Sequence, residues 1–289
     1  MSAAGHEPIG RVRGRRRRRR ARGGRRRGVY LLPHLFTSAN LFFGFWAVVH
    51  AFLGNSDRAA FGIVLAAVCD ALDGRIARLT HTTSRFGVEY DSIADTVAFG
   101  VAPAILAFTA AGMKDLGRPG FVMVFLYTVC AALRLARFNV HTSRFAGRFE
   151  GLPSPAAALM VATTQWFVSY LREPPQWFVT LLGQRSVGVD VPPALVGVGV
   201  VALGLLMVST IPYHSFKGFD LRQSHRTLAW VVIALVVVVA VEPSVTLFLI
   251  GLAYVAAGPA EWAWRWGAGR PLEALVPAAG PLKDEAHEH

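Results

Sequence analysis

Apolar residues run through this chain in long blocks separated by short polar stretches. A helix needs about 20 apolar residues to cross a bilayer. Eight blocks approach or reach that length, at roughly 35–53, 59–79, 91–111, 120–138, 155–171, 193–211, 228–242 and 244–260. The seventh is short and meets the eighth at Glu242–Pro243, which reads as a tight turn. No repeat, heptad or glycine period is visible. The pattern predicts an all-α fold, a polytopic membrane bundle of about eight transmembrane helices.

Composition supports this. The chain is 53% hydrophobic and only 17% charged, against about 25% charged in soluble domains, and its mean hydropathy is +0.41. An ordinary soluble enzyme is therefore excluded. Cys69 and Cys130 both sit in apolar runs and form neither a disulfide framework nor a zinc spacing. His34, His50, His81, His141 and His214 also show no metal spacing. Trp46 and the group Trp262, Trp264 and Trp266 read as interfacial belt residues.

Charge divides the chain. Residues 1–28 hold twelve arginines against Glu7, so they carry +11 of the total +12. Like charges repel there, and little apolar surface is available to bury, so 1–28 is expected to be a disordered cytoplasmic tail that attracts anionic lipid. No specific nucleic acid is expected as a partner. Residues 29–266 form the membrane domain, and 267–289 a second disordered tail.

With the N-terminus inside, the inner face receives Arg75, Arg78, Arg85, Arg134, Arg137, Arg144, Arg148, Lys217, Arg222, Arg226, Arg265 and Arg270. The outer face receives Arg58, Lys114, Arg118, Arg172 and Arg185. This bias follows the positive-inside rule without help from the tail. A multi-pass protein of the cell membrane with both termini cytoplasmic is the expectation.

The strongest chemical signal lies between residues 70 and 95. Asp70 and Asp73, spaced i, i+3, end the second span, while Asp91 and Asp95, spaced i, i+4, open the third. Each pair shares a helix face. A loop of about a dozen residues makes the two helices antiparallel neighbours, so four carboxylates meet near the cytoplasmic interface. Unpaired, each would cost on the order of several kcal/mol at membrane depth. Arg75, Arg78 and Arg85 can offset part of that charge. Four acids on facing helices also suit hard divalent cations, Mg²⁺ or Mn²⁺, two of which could flank a reacting phosphorus.

Asp70-x-x-Asp73-Gly74-x-x-Ala77-Arg78, eight residues, then Gly87-x-x-x-Asp91-x-x-x-Asp95 resembles in full the signature of the CDP-alcohol phosphatidyltransferase family. The resemblance implies a membrane enzyme with a six-helix catalytic core, a homodimer, and displacement of CMP from CDP-diacylglycerol by an alcohol. It implies that Asp70, Asp73, Asp91 and Asp95 hold a pair of divalent ions and that Asp95 also takes the alcohol proton. It places Gly74, Arg78 and Ser84 at the cytidine nucleotide.

Four further segments resemble the serine-using members of the family. They are Thr37-Ser38-Ala39-Asn40-Leu41, Leu133-Arg134-Leu135-Ala136-Arg137-Phe138-Asn139, Gly151-Leu152-Pro153-Ser154-Pro155 and Ile211-Pro212-Tyr213-His214-Ser215-Phe216-Lys217. They imply L-serine as the acceptor. An arginine fork suits the carboxylate of serine, and an amide or acid suits its ammonium. Arg134, Arg137 and Asn139 are the candidates, with Glu150 nearby. Each arginine also reads as a positive-inside anchor, and Asn139 as a helix cap. Asn40, polar inside a span, reads either as interhelical packing or as a nucleotide contact. Glycerol 3-phosphate or inositol phosphate as acceptor, and an ion transporter, are the alternatives.

Overall fold

The computed structural model describes residues 23–80, 84–140, 148–172, 191–214 and 242–268. The chain runs through α1 (Gly23–Phe52), α2 (Ser56–Thr80), α3 (Arg85–Asp95), a π-helical segment (Thr96–Val101) and α4 (Ala102–Ala110). A 3-10 turn (Met113–Leu116) leads into α5 (Arg118–Val140), then β1 (Arg148–Glu150), α6 (Ser154–Arg172), α7 (Pro193–Val208), β2 (Pro212–His214) and α8 (Pro243–Gly267). Helices dominate. Among the described residues, four stretches are long and apolar enough to cross a membrane, namely His34–Phe52, Arg85–Ala110, Arg118–Val140 and Pro243–Gly267.

The size of the side chains is inverted relative to a soluble protein. Large apolar residues face outward on α1 (Phe42, Phe45, Phe52) and on α5 (Phe121, Phe125). Between α1, α2, the π segment, α4 and α6 the interior is built from Ala47, Ala51, Ala59, Ala60, Ala66, Ala98, Ala102, Ala158 and Ala162 with few larger residues. Hydrocarbon surrounds the large residues as favourably as a core would, so small side chains are kept for close helix packing. Gly44 shows how close. A Cβ there would come within 2.7 Å of Ala98 Cα, so α1 and the π segment touch backbone to backbone.

A second interior, between α5, α6, α7 and α8, holds bulkier residues such as Met113, Tyr127, Leu152, Leu203, Met207 and Tyr213. It is closed at one end by a short antiparallel ribbon pairing Phe149 with Tyr213. Gly151 leaves the ribbon at φ 74°, and a Cβ there would stand 2.4 Å from the Met207 carbonyl oxygen. Both the dihedral and the crowding demand glycine. Tyr213 lies over Gly258 of α8 and donates its hydroxyl to the Val255 carbonyl at 3.0 Å.

Several expectations are changed. α1 begins at Gly23, within the segment expected as a tail, because a formed helix propagates readily through arginine, a good helix former. The loop between the second and third spans is not a dozen residues. α2 continues to Thr80 and Ser84 already caps α3, since helix outlasts the apolar block that hydropathy detects. The third span is a composite, α3 and α4 joined by the π segment, and the ribbon is an addition to the helical bundle. The seventh span lies outside the described residues but for Glu242. So do 1–22 of the N-terminal tail and 269–289 of the C-terminal one.

Candidate active site

α2 and α3 deliver the signature acids to one place. Ser84 makes this possible locally. Its hydroxyl accepts the Gly87 N–H at 3.0 Å and caps α3, so the chain re-enters a helix at once after α2. One ligand oxygen from each of Asp70, Asp91 and Asp95 then lies within 4.8 Å of the others. Two full charges at that distance repel by about 3 kcal/mol at an effective dielectric near 20. Three such pairs call for a cation. Hard carboxylate oxygens, with Asp91 Oδ1 buried and unpaired among the described residues, fit a divalent ion.

Asp73 is not one of these three. It is buried and accepts a hydrogen bond from Thr37 Oγ1 of α1 at 3.2 Å, within electrostatic reach of Asp70 and Asp91. Asp95, the last residue of α3, accepts one from Asn40 Nδ2 at 2.8 Å. Asn40 is 0% exposed. Its partner is thus an aspartate. Ser38 and Tyr90 share a further hydrogen bond of 3.0 Å between α1 and α3. Gly74 is exposed, and no described residue lies within 4 Å of where its Cβ would be, so among the described residues that side of α2 is open to a ligand. Arg78 follows one turn later on α2, its side chain outside the described residues.

The two arginines of α5 part company. Arg137 pairs with Glu150 of β1 and donates to the Val208 carbonyl at 3.2 Å, tying the end of α5 to the ribbon and to the end of α7. Arg134 turns inward. Its Nη1 donates to Ser154 Oγ at 2.9 Å, and the guanidinium lies within electrostatic reach of Asp95 and Asp70. Its Nε is buried with no hydrogen-bond partner among the described residues. Asn139 lies inside α5 and is no cap. Its amide donates to Ser92 Oγ at 2.8 Å, beside Asp91.

The structure thus joins Asp70, Asp91, Asp95, Asn40 and Arg134, and sets Arg137 into a structural clasp. Thr37 and Ser154 are partners that sequence reasoning left unassigned. Thr37 had a visible signal, since it is polar, inside a span and three residues from Asn40. Ser154 had none, as a serine after proline at a helix start reads as a cap. An apolar cavity of about 530 Å³ lies apart from these acids, among Leu106, Met160, Phe167, Val200, Leu203 and Phe248.

Known proteins resemble this chain in sequence. A protein of Helicobacter pylori (strain J99) named CDP-diacylglycerol--serine O-phosphatidyltransferase is 38% identical over 191 residues, spanning 65% of this chain and 74% of that protein. A Mycobacterium bovis protein of the same name is 30% identical over 274 residues, 85% of this chain and 84% of its own. An archaetidylserine synthase of Methanothermobacter thermautotrophicus is 37% identical over 134 residues, 46% of this chain and 56% of its own. Residues 30–241 match the family description CDP-alcohol phosphatidyltransferase. With the signature acids brought together in an apolar helical bundle, the chain belongs to the CDP-alcohol phosphatidyltransferase family and is a membrane protein.

Proposed function

We propose that this chain is a phosphatidylserine synthase, transferring the phosphatidyl group of CDP-diacylglycerol to the hydroxyl of L-serine with release of CMP. The observation that carries the reading is the cluster of the Asp70, Asp91 and Asp95 carboxylates, with Arg134 turned inward onto Ser154 and within electrostatic reach of Asp70 and Asp95. The names of the similar proteins support the same acceptor.

Asp70, Asp91 and Asp95, with Asp73 beside them, would hold divalent ions, Mg²⁺ or Mn²⁺ and two in number. Bound there, such ions would supply positive charge to offset that developing on the diphosphate and the leaving CMP. Gly74 and Arg78 flank the nucleotide. Ser84 lies near it while capping α3. The serine hydroxyl oxygen forms a bond to the lipid-side phosphorus as the bond from that phosphorus to CMP breaks. Asp95 takes the hydroxyl proton.

Arg134 meets the serine carboxylate with donors that Ser154 leaves uncommitted. Asn139, at the α5 end, stands on the same side for the ammonium. Arg137, committed to Glu150, is removed from this role. An acceptor carrying a phosphate would need a denser set of cations than α5 offers. The site faces the cytoplasm of a cell-membrane protein, as the arginine bias implies, and the assembly is a homodimer, which crosslinking in nanodiscs tests.

The test is purified full-length chain with CDP-diacylglycerol and L-serine, glycerol 3-phosphate or inositol phosphate in turn, following CMP release. CMP is expected with L-serine and scarcely with the others. A better rate with glycerol 3-phosphate would overturn the serine assignment and leave the family intact.

A further inference from the structure

We infer that Asn40 is the positioning residue of Asp95, fixing the carboxylate that receives the acceptor proton, and is not a nucleotide contact. The inference rests on the reading of Asp95 as the base. Asn40 Nδ2 donates to Asp95 Oδ1 at 2.8 Å, and the asparagine is 0% exposed. With Asp95 ionised the amide faces one way, because the reverse orientation would set its oxygen against a carboxylate oxygen. One oxygen of Asp95 is thereby held, and the other is left uncommitted to Asn40.

The surrounding backbone is built for this short reach. One turn along α1, Gly44 approaches Ala98 so closely that a Cβ would lie 2.7 Å from Ala98 Cα. Ala98 belongs to the π segment that begins directly after Asp95. A π turn shifts the face that the following residues present, and such turns recur at functional sites. Three residues before Asn40, Thr37 donates to Asp73 in the same manner. α1 lies outside the family signature, yet it holds one acid from each half of it.

Packing alone does not account for Asn40. Its Oδ1 is buried without a partner among the described residues, and a buried amide left half-paired is a costly way to fill space. An apolar side chain of its size would fill the space without that cost. The side chain is explained by the bond it donates.

The experiment is a double-mutant cycle in the full chain, with Asn40→Leu, Asn40→Asp, Asp95→Asn and the double variants Asn40→Leu/Asp95→Asn and Asn40→Asp/Asp95→Asn. Asn40→Asp keeps the volume and Asn40→Leu enlarges the side chain, and both remove the amide N–H donor. The readouts are kcat at saturating substrates, CMP affinity, Mn²⁺ affinity by electron paramagnetic resonance, and the unfolding temperature. Removing a partner that orients a ligand carboxylate costs about 10- to 100-fold in activity or metal affinity. Each Asn40 variant should lose kcat to that extent, weaken Mn²⁺ and keep CMP affinity within about threefold. Neither should lower kcat further in the Asp95→Asn background.

Loss of CMP affinity with additive effects would restore Asn40 to the nucleotide and overturn the inference. A lowered unfolding temperature with wild-type kcat per folded molecule would reduce it to packing. If Asp95→Asn itself kept normal turnover, the reading of the base would fall instead, which the same series distinguishes.

Discussion

The two interiors of the bundle are built by different rules. Around α1, α2, the π segment and α4, alanines pack helix backbones into contact, and the four acids stand at the edge of that region. Around α5, α6, α7 and α8, larger side chains fill the space, and a ribbon with two long-range ties closes it. In the first region the reacting groups come from two neighbouring helices and one short connection. In the second, Arg134 is oriented by Ser154, and Arg137 is anchored through Glu150 and the end of α7. The chemistry common to a family sits where local spacing fixes it. The group assigned to the acceptor sits where distant segments meet.

That division can be attacked experimentally. The largest effect is expected in the acid region. Rigorous chelation should abolish CMP release, and Mg²⁺ or Mn²⁺ should restore it. Full activity in metal-free protein would remove the reason for three carboxylates within 4.8 Å. Next, Asp95→Asn should lower kcat by about 10²- to 10⁴-fold, the usual contribution of a general base, with CMP affinity nearly kept. Near-normal turnover would move the proton elsewhere.

The acceptor region should answer differently. Arg134→Ala should raise the KM for L-serine or depress kcat/KM by roughly 10- to 150-fold, the equivalent of one charge-assisted hydrogen bond. CDP-diacylglycerol affinity should scarcely move. Arg137→Ala should act chiefly on the unfolding temperature. Equal kinetic effects from both would erase the distinction drawn between them.

Gly151→Ala should destabilise by about 1–3 kcal/mol, the range for a strained left-handed residue, and weaken L-serine more than CMP. An unchanged unfolding temperature would show that the ribbon can relax. The smallest effect is expected from removing residues 1–22, which should leave turnover in detergent unchanged, since the body satisfies the positive-inside rule alone. Loss of turnover would give those arginines a part in the reaction.

How much was legible depends on the length scale of each feature. Asp70 and Asp73, and Asp91 and Asp95, could be assigned to shared helix faces because helical geometry is local. That Ser84 caps α3 so soon after α2 was not legible, since hydropathy marks where lipid begins and not where helix ends. The π segment left no mark, as Thr96–Val101 has the composition of any apolar helix. Asn40 could be flagged as polar within a span, but its partner is 55 positions away in sequence. Arg134 and Arg137 look alike in sequence, being three residues apart on one helix end. Only the positions of Ser154 and Glu150 separate them.

The sequence alone therefore determined the helical membrane class, the acid set and the chemistry those acids permit, because apolar run length and helical periodicity act over a few turns. The tertiary structure decided which acids crowd together, which α1 side chains hold them, and which arginine faces them. Those outcomes depend on backbone approaches such as Gly44 to Ala98 and on turns such as Gly151, where one missing Cβ determines whether two distant segments can meet.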